Sequence, residues 1–398
     1  MKDKYYGIRN YTFVQRKWEG TIIPIRYTTD KYYDVIVNKR DKGFTIEIEK
    51  KDFGEPVIHT PEEYDFPDRL YKEHWENAYA WGVIVDGELI AAIETNEETW
   101  SNRLKITELW VAEKYQKQGI GHGLIEMAKE QARRQHCRAI ILETQSCNVN
   151  AIDFYLHEGF GLIGLDTCSY KNNDLQRKEV RLELGWFPEE KKKLSREEIE
   201  IRMERELDWY NVELMTQHAF WNKHHLGCNE HYLVHKLRKH KDYLPELSRI
   251  AVKDGEVIGS IMYSKSKVID EKETHHIISF GPLCVDPRWQ GCGVGELLLR
   301  ETMTLAKNKG YKGIVIFGEP DYYPRMGFMP CDEFNITTSD GKNFDAFMGI
   351  ELIKDGMKDI KGKFHGSEVF ENLPTEEVEE YNKNFPPLKK LRFPGQWD

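Results

Sequence analysis

No Cys-x-x-C pair, no apolar run near the roughly 20 residues of a membrane span and no excess of basic charge occur in these 398 residues. Each absence closes off a class of function. The seven cysteines are scattered and odd in number, which predicts reduced thiols in a cytoplasm rather than a disulfide framework. Met1-Lys2-Asp3-Lys4 stands where a signal peptide would carry apolar residues, so neither export nor a membrane partner is expected. The net charge of −10 argues against a nucleic-acid partner and suits a cationic small molecule. Gly-Lys-Ser/Thr is missing too. The glycine-rich turns read G-x-G-x-G in mid-domain, not G-x-G-x-x-G after a first strand, and P-loop and Rossmann readings therefore fail.

What is present is a turn made twice. Gln116-Lys117-Gln118-Gly119-Ile120-Gly121-His122-Gly123 lies between a strand over Thr107 to Val111 and a helix carrying Leu124, Ile125, Ala128 and Ala132 at helical spacing. Glycines at a helix start offer main-chain amides and the positive end of the dipole, a site for a pyrophosphate. Gln290-Gly291-Cys292-Gly293-Val294-Gly295 repeats the form. An apolar strand ends five residues before each, at Val111 and Val285, and nineteen residues separate Gly121 from Ile140 and Gly295 from Ile314. Asp86-Gly87-Glu88 and Asp254-Gly255-Glu256 are matching hairpin signals. Tyr155 precedes Gly159-Phe160 as Tyr323 precedes Gly327-Phe328. The chain holds two copies of one nucleotide-binding unit, with a repeat of about 175 residues.

In chain order, residues 1 to 60 read as irregular chain and early strands, and Pro67 to Tyr79 as a charged helix. A hairpin follows from Ala80 to Glu94, and Trp100-Ser101-Asn102 turns into the central strand. After the glycine loop and its helix come a strand from Ala139 to Leu142, a short helix capped by Asn148, and closing strands over Phe160 to Leu165 and Val180 to Leu184. Pro188 to Leu194 is the linker, with the boundary near Glu190 and domains over 1–188 and 189–398. The second copy opens with a strand through Ile199, Ile201 and Met203 and a helix capped by Asp208. It continues with a hairpin from Arg249 to Tyr263 and a late strand from Phe344 to Leu352. The tail after Pro374 is expected to wrap one of the domains.

These features resemble the GNAT superfamily of acetyl-CoA-dependent N-acetyltransferases, whose signature is a strand, the loop R/Q-x-x-G-x-G/A, then Asn-x-x-Ala and a Tyr before Gly-Phe. The resemblance implies an α/β (α+β) chain of two tandem GNAT folds, each a mixed, mainly antiparallel sheet flanked by helices. Copy one, through Leu142-Glu143-Thr144-Gln145, Asn148, Ala151, Tyr155 and Gly164-Leu165-Asp166, resembles streptothricin acetyltransferases over most of residues 30 to 187. Copy two, through Gly227-Cys228-Asn229-Glu230-His231-Tyr232 and Phe280-Gly281-Pro282-Leu283, resembles a bacterial GNAT branch without a defined substrate.

The resemblance implies acetyl-CoA as co-substrate and a primary amine as acceptor. A primary amine has a pKa near 10, so attack on the thioester needs a base, and the departing thiolate needs a proton. Glu108 is the candidate base; the alternative is a strand carboxylate paired with a Lys or Arg. Tyr155 is the candidate acid; the alternative is an aromatic packed under the cofactor. Coenzyme A contacts fall mainly to the main chain at Val111, Gln116, Gly119, Gly121 and His122, with Asn148 near the pantetheine and Lys117 near the adenosine phosphate or solvated, and Glu143 orients a cationic acceptor. In copy two Val285, Gln290, Gly293 and Gly295 hold pyrophosphate and Tyr323 keeps the acid's spacing. Pro282 replaces the base there, leaving Glu319 or His276 as substitutes. His224, His225, Cys228, His231 and His235 look like metal ligands, but Tyr232, Leu233 and Leu237 make an ordinary amphipathic helix the better reading, and no metal is expected.

The expectation is thus a cytoplasmic tandem N-acetyltransferase of a small, cationic amine, as in streptothricin resistance, acting as a monomer with an internal pseudo-dimer or as a homodimer. The alternatives are a second half that only binds acyl-CoA, and an enzyme that acetylates proteins.

Overall fold

The computed structural model describes residues 11–14, 16–60, 67–189, 191–271 and 273–396; the expected boundary residue Glu190 lies outside them. Two compact units emerge, one of Met1–Glu189 with Leu391–Pro394, the other of Glu190–Lys390 with Gly395–Asp398.

In unit 1 the order is β1 (Tyr11–Phe13), β2 (Tyr27–Arg40), β3 (Gly43–His59), β4 (Ala78–Val85), β5 (Glu88–Glu98), β6 (Arg103–Val111), α1 (Ile120–Arg134), β7 (Ala139–Gln145), α2 (Val149–His157), β8 (Gly161–Asp166), α3 (Asp174–Arg177) and β9 (Arg181–Trp186). A seven-stranded sheet runs β1-β4-β5-β6-β7-β9-β8, and β2 and β3 form a separate long hairpin. The β4–β5 turn has Asp86 at φ 50° and Gly87 at φ 85°, the two positive values that a two-residue hairpin matched to strand twist requires. Only β6 and β7 are parallel. They pair from Arg103–Ala139 to Lys105–Ile141, after which β6 runs on to Val111 against β5 and β7 to Gln145 against β9, no longer paired with each other. The sheet opens there.

Unit 2 repeats this plan. Its elements are β10 (Glu200–Arg202), α4 (Trp209–Phe220), α5 (Glu230–Leu237), β11 (Arg249–Lys253), β12 (Glu256–Ile269), β13 (Thr274–Val285), α6 (Val294–Asn308), β14 (Gly313–Phe317), β15 (Met329–Pro330), β16 (Ile336–Thr337), β17 (Phe347–Glu351), β18 (Gly362–His365) and α7 (Thr375–Asn382). The sheet runs β10-β11-β12-β13-β14-β17-β15, and the parallel pair β13–β14 meets only at Ile278–Ile314. Asp254 and Gly255 repeat the hairpin turn at φ 50° and 82°.

Each sheet is closed on one face by the helix that follows the glycine loop. Leu124, Ile125, Ala128 and Ala132 of α1 are fully buried against Ile93, Leu104 and Ile140, and Leu298, Leu299 and Ala306 of α6 against Ile261 and Ile314. Apolar burial of this kind is worth about 1.5–3 kcal/mol per large side chain. Helix α1 lies so close to β1 that a Cβ on Gly123 would stand 2.0 Å from the Tyr11 hydroxyl, itself buried and bonded to the Ile120 carbonyl at 3.2 Å. Tyr11 is itself packed in the core. Gly123→Ala is therefore expected to cost about 1–3 kcal/mol, read as a lower melting temperature with little change in acetyl-CoA affinity.

Three expectations need correction. Pro67 to Tyr79 is not a helix: Tyr71 sits at φ 58°, and its N–H turns inward to the Glu94 carboxylate instead of continuing a helical ladder. Asp208 stands before α4, but its carboxylate accepts the Arg205 N–H at 2.8 Å and an Arg202 guanidinium N–H at 2.7 Å, closing the preceding turn and leaving α4 without a side-chain cap. Leu391–Pro394, given to the second domain from sequence, belongs to unit 1, where Phe393 packs on Trp81 at 4.8 Å and the Tyr79 hydroxyl donates to the Arg392 carbonyl at 2.6 Å. Among the described residues no helix is long and apolar enough to cross a membrane.

Candidate functional site

In unit 1 the site grows from an irregularity in the β5–β6 pairing. Glu94 faces Glu108 and Thr95 faces Ile106, so Thr107 is an extra residue that kinks β6 just before the sheet opens. The bulge puts two carboxylates side by side in the interior. Glu94 is fully buried and accepts from the Thr107 hydroxyl at 2.7 Å and from the Tyr71 N–H. Glu108, 5% exposed, accepts from Lys72 Nζ at 3.0 Å, and the same ammonium reaches Asp68 at 2.9 Å. Burial pushes the Glu108 carboxyl up to about 8, with the charges of Asp68 and Glu94 adding and Lys72 opposing. Lys72 itself is held above its ordinary value despite burial, since Asp68 and Glu108 share it. The strand carboxylate does have a lysine partner, then, but desolvation outweighs that partner.

Tyr155 lies on α2 with its ring edge-on to Phe154 at 5.4 Å and to Phe160 at 5.7 Å. Burial, then the negative charge of Glu108, raises its hydroxyl pKa, which keeps the proton on oxygen at neutral pH. The candidate acid thus lies in the same core as the strand that carries the candidate base, close enough to feel its charge.

The glycine bend supplies the third part. Gly119 adopts φ 79°, and the first intrahelical bond of α1 runs from Gly123 N to Gly119 O at 3.1 Å. The amides of Ile120, Gly121 and His122 precede it and have no helical partner. Gly121 admits no side chain easily: a Cβ would stand 3.2 Å from the Phe154 ring. The Gln116 side-chain amide folds back onto the Val111 carbonyl at 3.0 Å, and Gln290 does the same to Val285 at 3.1 Å. Both glutamines brace their bends. The His122 ring is bonded to Glu158 at 2.9 Å, and Asn148 spends its side chain on the Ala151 N–H at 3.3 Å, capping α2. Glu143 is ion-paired with Lys105 at 3.2 Å and Arg181 at 2.6 Å.

Unit 2 keeps the bend and loses the carboxylates. Gly293 adopts φ 85°, Leu297 N bonds Gly293 O at 3.0 Å, and the Tyr322 hydroxyl stands 2.9 Å from where a Gly295 Cβ would be. Tyr322 precedes Tyr323 as Phe154 precedes Tyr155. Counted from the matched pairs Ala91–Val111 and Gly259–Val285, Met262 and Pro282 occupy the places of Glu94 and Glu108. Glu319 is exposed and 3.5 Å from Lys223. His276 lies nine residues before Val285 on β13, about 30 Å at the strand rise, and is not brought to the bend.

The histidine cluster is dispersed among separate tasks. Cys228 Sγ contacts His231 Nδ1 at 3.4 Å, burial lowers His231 to about 4, and His235 lies against Glu213 and the Tyr381 hydroxyl. His122, Glu126 and Glu158 do converge within 4.8 Å, but Lys129 Nζ already stands 2.9 Å from Glu126 and supplies the positive charge. Sequence reasoning missed Asp68, Tyr71, Lys72 and Glu94. One signal was available: Glu94 interrupts the apolar run Ile90-Ala91-Ala92-Ile93.

The Acetyltransferase (GNAT) family pattern matches this chain twice, over residues 44–161 and 207–329. A streptothricin acetyltransferase of Escherichia coli is 35% identical over 112 residues, 28% of this chain and 64% of that protein. The uncharacterized N-acetyltransferase YhbS of Escherichia coli strain K12 is 27% identical over 171 residues, 43% of this chain and 97% of that protein. The chain spans less than two thirds of the length of the streptothricin enzyme and 55% of a second Escherichia coli relative, the uncharacterized N-acetyltransferase YjhQ. The solved structure of Escherichia coli YhbS in complex with CoA has 25% identity and a TM-score of 0.40, covering 44% of this chain and 94% of that one.

Proposed function

This chain belongs to the GNAT acetyltransferase family, and from that premise we propose that it transfers the acetyl group of acetyl-CoA to a primary amine of a small, cationic molecule such as a streptothricin-like antibiotic. The two tandem domains run over about 1–188 and 189–390, with Leu391–Pro394 returning to the first, and the chemistry is assigned to the first. The observation that carries the reading is the buried Glu108, raised to about 8 and within electrostatic reach of Tyr155 at the opening between β6 and β7. The pyrophosphate of acetyl-CoA rests on the amides of Ile120, Gly121 and His122. The amine nitrogen attacks the thioester carbon; a C–N bond forms and the C–S bond breaks. Glu108 takes the ammonium proton and Tyr155 gives its own to the leaving sulfur. A base near 8 is better matched than an ordinary carboxylate to an ammonium near 10.

Acetylation removes a positive charge, which weakens the hold of a cationic drug on anionic RNA. Detoxification is the role this supports. The test is coenzyme A release, read as free thiol, from full-length protein given acetyl-CoA and streptothricin. Turnover above the amine-free rate is expected, and its absence at saturating streptothricin sinks the substrate assignment. A second reading rests on Met262 and Pro282: unit 2 binds acyl-CoA without turning it over.

A further inference from the structure

One face of the unit 1 sheet continues past Glu108. On β5, Glu94 and Asn96 stand two residues apart and therefore on the same face, and their partners across the pairing are Glu108 and Lys105. The bulge at Thr107 thus leaves both β6 side chains on one side, about 7 Å apart along the strands at the rise of two residues. The segment 68–75 lies over both. Lys72 Nζ donates to Glu108 at 3.0 Å, and the Trp75 ring centroid stands 4.9 Å from Lys105 Nζ.

Beside Lys105 this face holds a cavity of about 80 Å³ whose wall includes Glu98, Arg103, Lys105, Glu143, Arg181 and Glu183. Its charges balance. Arg103 holds Glu98 at 2.7 Å, Lys105 and Arg181 share Glu143 at 3.2 and 2.6 Å, and Arg181 also reaches Glu183 at 2.9 Å. Its hydrogen bonds do not. Arg181 Nε is buried without an acceptor, and Lys105 Nζ, with three N–H donors to place, has Glu143 as its one hydrogen-bond acceptor among the described residues. Buried donors left unmet are costly, so a cavity with such donors on its wall is built to receive an oxygen.

We propose that this cavity is a subsite of the acetyl acceptor and takes an uncharged carboxamide or carbamoyl group carried about 7 Å from the amine that reacts. This rests on the reading that Glu108 is the base of unit 1. A ligand carboxylate would satisfy the same donors but leave one negative charge in excess in a partly buried, already neutral cavity. A carboxamide leaves none. Its carbonyl accepts from Arg181 Nε and Lys105 Nζ, and its NH2 donates to the carboxylates of Glu143 and Glu183. Glu143 serves the acceptor indirectly, by holding Lys105 and Arg181 in place.

The test is thiol release by the full-length protein from acetyl-CoA with three acceptors of one chain length: 6-aminohexanamide, 6-aminohexanoate and hexylamine. The amide is expected to exceed each of the others in kcat/KM by about 10-fold or more, chiefly through KM. Arg181→Lys keeps a positive charge beside Glu143 and Glu183 but has no Nε, and is expected to erase most of that preference with the melting temperature retained. Lys105→Met, which leaves Glu143 to Arg181, repeats the measurement from the other donor. Equal kcat/KM for amide and hexylamine, turnover of streptothricin but not of the amide, or a preference that survives both substitutions overturns the subsite. A preference for the acid overturns its assignment to an uncharged group. No thiol release with any acceptor, streptothricin included, sinks instead the reading of unit 1 on which the subsite rests.

Discussion

Glu108→Gln is expected to lower kcat/KM for amine acetylation by about 10²–10⁴-fold and, in the same protein, to raise the melting temperature. Both effects come from one cause. The carboxyl is pushed up to about 8 from an ordinary 4.5 because folding buries it. Between those two values the unfolded chain releases a proton that the folded chain retains, so the group's contribution is neutral below about pH 4.5 and turns against folding as pH rises through the window. At pH 7 the cost is about 3 kcal/mol, and an isosteric amide removes it while Lys72 keeps Asp68 as partner. A gain of several degrees is expected. In the unsubstituted protein kcat/KM should climb with pH towards about 8 and then level; Glu108→Gln should abolish that limb, and Lys72→Met should move it upward by removing the opposing charge. A falling melting temperature, or a limb that survives Glu108→Gln, would remove this carboxylate from the chemistry.

What the sequence disclosed and what it concealed divide along main chain and side chain. The two bends were legible because their chemistry is that of the backbone: glycines between a strand and an amphipathic helix can do little else, and Gly119 and Gly293 take φ 79° and 85° in matching places. The hairpin turns at Asp86-Gly87 and Asp254-Gly255 and the cap at Asn148 were legible for the same local reason. The surroundings of Glu108 were not. Asp68 and Lys72 stand four apart, as ion pairs on helices do, and that spacing suggests a helix from Pro67 onward. The chain instead gives the Tyr71 N–H to Glu94, twenty-three residues away and invisible to any local pattern. The side chains of Gln116 and Gln290 have a task that no local pattern discloses: each folds back on the last carbonyl of its own strand.

Full-length protein is expected to bind two equivalents of coenzyme A, with Gly121→Val removing one, Gly295→Val the other and the double variant both. The two bends share every feature that favours an anion: a left-handed glycine before the helix, free amides in its first turn and a glutamine bracing the loop. They also share a steric limit. A Cβ at Gly121 meets the Phe154 ring at 3.2 Å, and one at Gly295 meets the Tyr322 hydroxyl at 2.9 Å, so the branched methyls of valine must either displace the aromatic residue preceding Tyr155 or Tyr323 or cover the amides themselves. Either result is expected to weaken the affected site by about 100-fold, equivalent to about 2.7 kcal/mol. Because the bends sit in different units, the losses should add without coupling. Calorimetric titration reads stoichiometry and affinity together. A single site in the unsubstituted chain, lost with Gly121→Val and indifferent to Gly295→Val, would leave unit 2 with the shape of an acyl-CoA site but no cofactor, and would end the case for chemistry in that half.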